Sequence, residues 1–304
     1  MVAFNLSIDF ELGWGDLRRV ASDDAFRQRV VRGLEQTPAI LAALARHAIP
    51  STWGVVGACC AESLDELQQR APAAYAAVEQ QLAALVNRGG TYREVLFCQD
   101  TVVAIGRSVR VELASHGFVH LVPGALPLSV LQSDVAASIA CLRPLCDGAL
   151  ESFVPPQNYR WPDEAFAGSG MRYVRHTPRV GGYAYSDPHR RAKFARLWND
   201  LVRPVNHGEC GRSARLLFLR IDRGRRLWEA QLRLIRRLLA ADSGSLYCFS
   251  HPHNLDSRPL VHRFDQLCEA VGDAASRGAV TFCKFFHELP QHRVRASDTR
   301  IAHG

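Results

Sequence analysis

Short apolar runs alternate with longer amphipathic stretches along nearly the whole chain. That rhythm restricts the possible folds more than any other feature of the sequence. Val2 to Ile8 reads as a strand, Phe26 to His47 as a helix restarted at Pro38, and Ile49 to Gly57 as a second strand, which makes a strand–helix–strand unit. Further strands are expected at Val109–Leu113, Leu150–Pro155, Met171–Arg175, Leu216–Ile221, Leu246–Phe249 and Ala279–Phe282. Helices are expected at Thr101–Arg107, Leu128–Leu145, Arg223–Ala241 and Leu260–Arg277. About seven strands alternating with helices predict an α/β fold with a parallel, closed β/α barrel. A chain of 304 residues, 47% of them apolar, is long enough to build such a barrel as one unit. One barrel domain over residues 1–290 is expected, with a frayed tail at 291–304. Within it, residues 60–100 read as a helical insertion or outer helices, split by Pro72, with a loop-like stretch at Gly89–Asp100.

In barrels of this kind chemistry gathers at the carboxyl ends of the strands, which share one rim. Polar clusters fall at these ends: Asp9 with Glu11, His116 with His120, the turn Pro155–Asn158, and His251 with His253. Two acids at i and i+2 leave a strand on the same side. Histidines at i and i+4 share one face of a helical turn. Two such imidazoles can hold a divalent ion if a carboxylate joins them and a position stays open for water. The plainer alternative has Asp9 or Glu11 capping the next helix and the histidines incidental. It is weakened by the shared rim, because unrelated surface residues would not collect there.

The net charge is +7 and the cations are almost all arginine, Lys193 and Lys284 being the only lysines. The arginines of Arg223–Ala241 fit either a helix lying on an anionic membrane or, as favoured here, a barrel helix with a solvated face. No basic stretch is interleaved with aromatics, so no nucleic-acid partner is expected. Nine cysteines without a CxxC pair read as reduced thiols of a cytoplasmic protein. Met1 to Asn5 enters a strand at once, with neither a basic leader nor an apolar segment, and no run approaches the ~20 apolar residues of a membrane span. Thr177–Gly211 is harder to assign beyond a helix near Ala192–Val202, and His189 and His207 within it are read as without function.

Taken in order, these motifs resemble those of the polysaccharide deacetylases, the NodB-homology or family 4 carbohydrate esterase group. The first motif of that family, Thr-Phe-Asp-Asp, is similar to Ser7-Ile8-Asp9-Phe10-Glu11. His116-Gly117-Phe118-Val119-His120 matches the spacing of its His-Ser/Thr-x-x-His motif. Val154-Pro155-Pro156-Gln157-Asn158 partly matches Arg-Pro-Pro-x-Gly, and Leu246–Phe249 followed by His251 matches its last motif. A subgroup reading Asp-x-Glu-x-x-Trp-Gly and His-Pro-His-Asn is closest, here Asp9 to Gly15 and His251 to Asn254. The resemblance spans about residues 2–290. Three positions depart from the pattern: Phe10 stands where the second aspartate falls, Val154 where an arginine orients the base, and Gly117 where Ser or Thr lies between the histidines.

The resemblance implies a distorted (β/α)7 barrel and a divalent metal: zinc first, with cobalt, manganese or nickel as alternatives. His116, His120 and Glu11 would hold it, Asp9 remaining the other candidate for the third ligand. It further implies Asp9 as general base and His251 as general acid, with Trp14, Pro156, Asn158 and His253 around the substrate. The implied reaction is removal of an N-acetyl group from an amino sugar, with surface-polysaccharide biosynthesis as the setting and a phosphate- or lipid-linked sugar as a fitting substrate. Hydrolysis of a formamido sugar or ureide, and a metal-free relative without activity, stay open as alternatives.

Overall fold

A computed structural model of the chain describes residues 1–87, 92–175, 190–202, 207–209, 212–241, 243–283 and 287–288. Ten strands are found among these residues: β1 Val2–Phe10, β2 Ser51–Val55, β3 Val111–Ser115, β4 Ser152–Phe153, β5 Tyr173–Val174, β6 His207–Glu209, β7 Arg212–Phe218, β8 Ser245–Ser250, β9 Val280–Phe282 and β10 His287–Glu288. Seven of them, in the order β5-β4-β3-β2-β1-β8-β7, pair in parallel and curl into a half-barrel. β9 pairs with the start of β1, and β6 and β10 add antiparallel edges. The wall is the distorted (β/α)7 arrangement that the resemblance implies; the closed barrel expected from the alternation is not reached among the described residues. Among the described residues no pairing joins β5 to β7, and β4 and β5 are only two residues long, so the ladder is thin at that side.

The helices form where the apolar period is 3.6 residues, and they pack outside the wall. The long stretch after Phe26 breaks at Gln36 into helices Asp24–Glu35 and Thr37–Arg46, with Pro38 in the first turn of the second, where no N–H is missed. Residues 60–100 hold helices Leu64–Arg70, Pro72–Ala76, Glu79–Val86 and Tyr92–Leu96. Helix Glu79–Val86 lies against Leu17–Ser22, and Pro72–Ala76 against Leu128–Leu142. The expected loop at Gly89–Asp100 is therefore partly helical: Val95 and Leu96 are buried and draw that turn onto the core. Residues 291–304 lie outside the described residues, as does His189. No helix among the described residues is long and apolar enough to cross a membrane, and the eight described cysteines are free thiols.

The barrel interior is a small apolar plug of Ala114, Val154, Leu216, Tyr247 and Phe249, separate from the outer core. Polar groups stack above it at the carboxyl ends of the strands. One outer contact fixes that rim. Helix Asp24–Glu35 touches the turn Pro252–Asn254 at Gly33, where a Cβ would lie 2.6 Å from the His253 backbone nitrogen. Both sides of that contact are backbone, so neither yields cheaply. Gly33→Ala is expected to lose about 1–3 kcal/mol in chemical denaturation, although alanine is the better helix former.

Candidate metal centre

Strand parity brings the two acids to the rim. β1 runs to Phe10, two residues beyond the expected end, so Asp9 belongs to the strand itself. Its even residues Phe4, Leu6, Ile8 and Phe10 are buried in the outer core, and the Phe10 ring lies 6.1 Å from that of Trp53. Its odd residues turn inward. Asn5 Nδ2 donates to Thr52 Oγ1 at 3.3 Å, and Ser7 and Asp9 both accept from Arg175. The residue next to Asp9 therefore points away from the site, and the chain returns to it at Glu11.

The histidine pair arrives differently from the expected helical turn. β3 ends at Ser115, later than expected, and residues 116–120 form a loop with Gly117 at φ +77° and His120 at φ +59°. Asp134, buried in helix Leu128–Leu142, pins that loop. Its Oδ2 and Oδ1 accept the N–H groups of Phe118 and Val119, each at 2.9 Å. A Cβ at position 117 would lie 2.7 Å from Asp134 Oδ2, so both the backbone angle and the carboxylate call for glycine there. Burial pushes the Asp134 carboxyl up to about 6 against the pull of those two hydrogen bonds.

The loop sets the two imidazoles edge to face, ring centres 4.8 Å apart. His116 Nδ1 lies 2.7 Å from the carbonyl oxygen of Val154. A carbonyl only accepts, so Nδ1 carries the hydrogen and Nε2 keeps its lone pair for the site. Glu11 Oε2 stands 3.3 Å from His116 Nε2 and 3.0 Å from His120 Nε2. One donor atom from each of the three residues lies within 4.8 Å of the others, and all three residues are buried. His120 Nε2 has no hydrogen-bond partner. Two imidazole nitrogens and one carboxylate, with a buried orphan nitrogen aimed inward, are the donor set and the geometry that a divalent ion takes. Burial lowers the His120 pKa, keeping the imidazole neutral. Burial opposes the charge on Glu11, but His251 first, and then the neighbouring imidazoles of His116 and His120, outweigh it and hold its pKa well below the usual carboxylate value.

Asp9 is matched by a guanidinium that the sequence did not single out. Arg175, 1% exposed, follows β5 and crosses the barrel. Its Nη1 and Nη2 donate to Asp9 Oδ1 and Oδ2 at 2.6 and 2.7 Å, Nη1 also to Ser7 Oγ at 3.0 Å, and Nη2 to Asn158 Oδ1 at 2.8 Å. The guanidinium lies 4.8 Å over the Phe249 ring. Burial would raise the Asp9 carboxyl, but the charge and hydrogen bonds of Arg175 overcome it and leave it lowered. Val154, where the resembled family has arginine, packs instead against Gly54, leaving 2.9 Å to a Cβ there. The one sequence signal for Arg175 was a cation ending an apolar strand on the functional rim. For Asp134 it was an acid between Leu131 and Val135 on an inward helix face.

His251 follows β8, its Nε2 3.5 Å from Glu11 Oε1 and 3.8 Å from Asp9 Oδ2. His253 stacks on it at 4.9 Å and meets the Phe26 edge at 5.5 Å, and burial together with the charge of His251 pushes its pKa down to about 3. It therefore lies behind His251 as a neutral ring. A cleft of about 310 Å³ holds Asp9, Glu11, Asn158 and His251. A cavity of about 440 Å³ with Trp14 and His120 on its wall adjoins it at Gly15 and Gln157. Trp14 is buried, its Nε1 donating to the Leu96 carbonyl at 2.9 Å. Pro156 is buried beneath the His116–His120 loop, 3.6 Å from a Cβ placed at 117. Leu12, His120, Gln157 and Asn158 all hold positive φ around this centre, a clustering of backbone strain typical of functional sites.

No model of a known protein family matches the sequence, and no curated protein matches it. Solved structures do match. A Mycobacterium smegmatis protein assigned as a polysaccharide deacetylase superposes with a TM-score of 0.52 at 16% identity, over 98% of this chain and 91% of its own. A family 4 carbohydrate esterase pseudoenzyme from Bacillus anthracis gives 0.46 at 13%, over 92% and 63%. A family 4 carbohydrate esterase from Streptomyces lividans, in complex with acetate, gives 0.43 at 10%, over 93% and 92%. The first of these establishes that the fold is the NodB-like fold of polysaccharide deacetylases.

The purified chain is expected to bind one divalent ion per molecule, measured by competition titration against a chromogenic chelator, and His116→Ala is expected to abolish that binding. Binding should weaken as the pH falls, because protons compete with the ion for the two imidazoles and the carboxylate. Asp134→Ala releases the loop without touching a donor, and is expected to weaken the ion by roughly 10–100-fold in the same titration.

Proposed function

We propose that this chain is a metal-dependent hydrolase that removes an N-acetyl group from an amino sugar, with zinc as the ion. The convergence of Glu11, His116 and the orphan nitrogen of His120 beside the Arg175–Asp9 pair carries the reading. The NodB-like fold is consistent with it. A Lewis acid bound by these three residues polarises an acyl carbonyl and acidifies water in the cleft.

The remaining steps belong to the chain. Asp9, oriented on both oxygens by Arg175, takes a proton from the attacking water. A carboxylate has about four lone-pair sites, so the Arg175 bonds leave it able to accept that proton. His251 turns its Nε2 toward Asp9 and Glu11, with Nδ1 3.3 Å from the Asn254 amide. As an imidazolium it gives its Nε2 proton to the nitrogen as the C–N bond breaks, yielding acetate and the free amine, and the proton that Asp9 took from the water restores it. His253 holds the His251 ring from behind, Asn158 holds Arg175, Trp14 shapes the wall, and Pro156 lies beneath the histidine loop and not on the cleft.

Arg196 on the cleft wall, beside Arg220 whose charge is met by Asp200, supports a substrate carrying phosphate, as a nucleotide- or lipid-linked sugar does. Such a substrate belongs to surface-polysaccharide biosynthesis in the cytoplasm. Acetate release from N-acetylated sugars should depend on added zinc and stop with a chelator. Asp9→Asn is expected to lower kcat by about 10²–10⁴-fold while the ion stays bound. Release of formate instead of acetate would reassign the acyl group. No hydrolysis by zinc-loaded protein across acetylated and formylated amino sugars would remove the proposal.

A further inference from the structure

The last turns of helix Arg190–Leu201 bury polar residues: Asn199 and Asp200 are 1% and 0% exposed. Asn199 Nδ2 donates to the Leu216 carbonyl at 2.9 Å, and Asp200 Oδ1 accepts the Phe218 N–H at 3.2 Å. Asp200 Oδ2 accepts from Arg220 Nε and Nη2 at 2.9 and 2.7 Å. These bonds fix the rotation of the helix about its axis. At about 100° per residue, Leu197, Trp198 and Val202 then fall on its outer side. They are 37%, 62% and 44% exposed. In a helix of a water-facing protein the outer side is polar, so an apolar strip at Leu197, Trp198 and Val202, held outward by buried polar anchors, marks a contact surface.

The neighbouring helix Arg225–Leu239 brings charge to the edge of this strip at Arg237. It buries Trp228, Leu232, Ile235 and Leu238 and exposes Arg226, Arg233, Arg236 and Arg237. Arg237 Nη2 reaches the Val202 carbonyl at 3.5 Å, which places a guanidinium at the edge of the apolar strip. Apolar side chains led by a tryptophan, bordered by arginines, are what an anionic bilayer surface takes up: the ring enters the interface and the guanidinium groups meet the headgroups. A second copy of this chain is the poorer occupant, because it would face the same arginines across the contact in a protein of net charge +7.

We infer that the outer face of helix Arg190–Leu201, with the arginines of helix Arg225–Leu239, docks the protein on an anionic membrane surface. The attachment is peripheral and independent of the reaction proposed above.

Trp198 makes the test direct. The other four tryptophans, Trp14, Trp53, Trp161 and Trp228, are buried, so a change in emission on docking reports Trp198. The full chain is mixed with vesicles of phosphatidylcholine alone or with added phosphatidylglycerol. Co-sedimentation is expected only with the anionic vesicles, weakened by salt and accompanied by a blue shift. Trp198→Ser should remove the shift and lower partitioning roughly tenfold. Arg233→Glu with Arg237→Glu should lower it by more than tenfold, at about fivefold for each cation lost. Either variant can be checked for folding by its retained metal binding. The inference is overturned if anionic vesicles leave the protein in the supernatant, or if either variant partitions like the parent. It is equally overturned if the parent dimerises without lipid and Trp198→Ser makes it monomeric.

Discussion

Two carboxylates, Asp9 and Glu11, are buried at the mouth of the barrel, and the surrounding structure is arranged around their charge. Burying a lone carboxylate costs several kcal/mol, so each must be met by positive charge or by donors. Asp9 is met by Arg175 on both oxygens. Asp9 is thus met by a permanent cation, whereas Glu11 is met by imidazoles, of which burial disfavours the charged form of His120. That asymmetry leaves Glu11 and the two histidines as the group that could hold a divalent ion.

The supports of this centre come from further out than its donors. Asp134 holds the His116–His120 loop from a helix, Val154 fixes the His116 tautomer through its carbonyl, and Gly33 seats the turn that carries His251. Arg175 also explains how Val154 is tolerated: the guanidinium reaches Asp9 from the following strand, and a small side chain at 154 packs into the apolar plug below. Likewise Gly117 follows from the closeness of Asp134, and Phe10 from strand parity. All three departures from the deacetylase pattern therefore have a local physical cause.

Much of this was legible in the residues. The alternation of β-like and helical periods predicted the parallel strand–helix wall, because period 2 and period 3.6 are properties of the chain itself, but not that the wall stays a half-barrel among the described residues. The i, i+2 spacing of Asp9 and Glu11 gave their common side for the same reason. The histidine pair was identified for its spacing, but the geometry behind it was wrong: Ser115 ends a strand, and a loop with left-handed residues brings the rings together. The segment before it was expected to be a loop at Gly89–Asp100, yet Val95 and Leu96 find a core to bury in and form a helical turn.

What the sequence determined by itself was the order and type of the elements and the set of residues at their carboxyl ends, since these follow from local periodicity and strand parity. Only the tertiary structure decided which of those residues meet. Arg175 and Asp9 are separated by 166 positions, and Glu11 and His116 by 105. Their pairing depends on how the wall curls. The outward apolar face of Arg190–Leu201 likewise depends on Asn199 and Asp200 finding partners in and around β7, a choice made by long-range contacts and not by the periodicity of the helix.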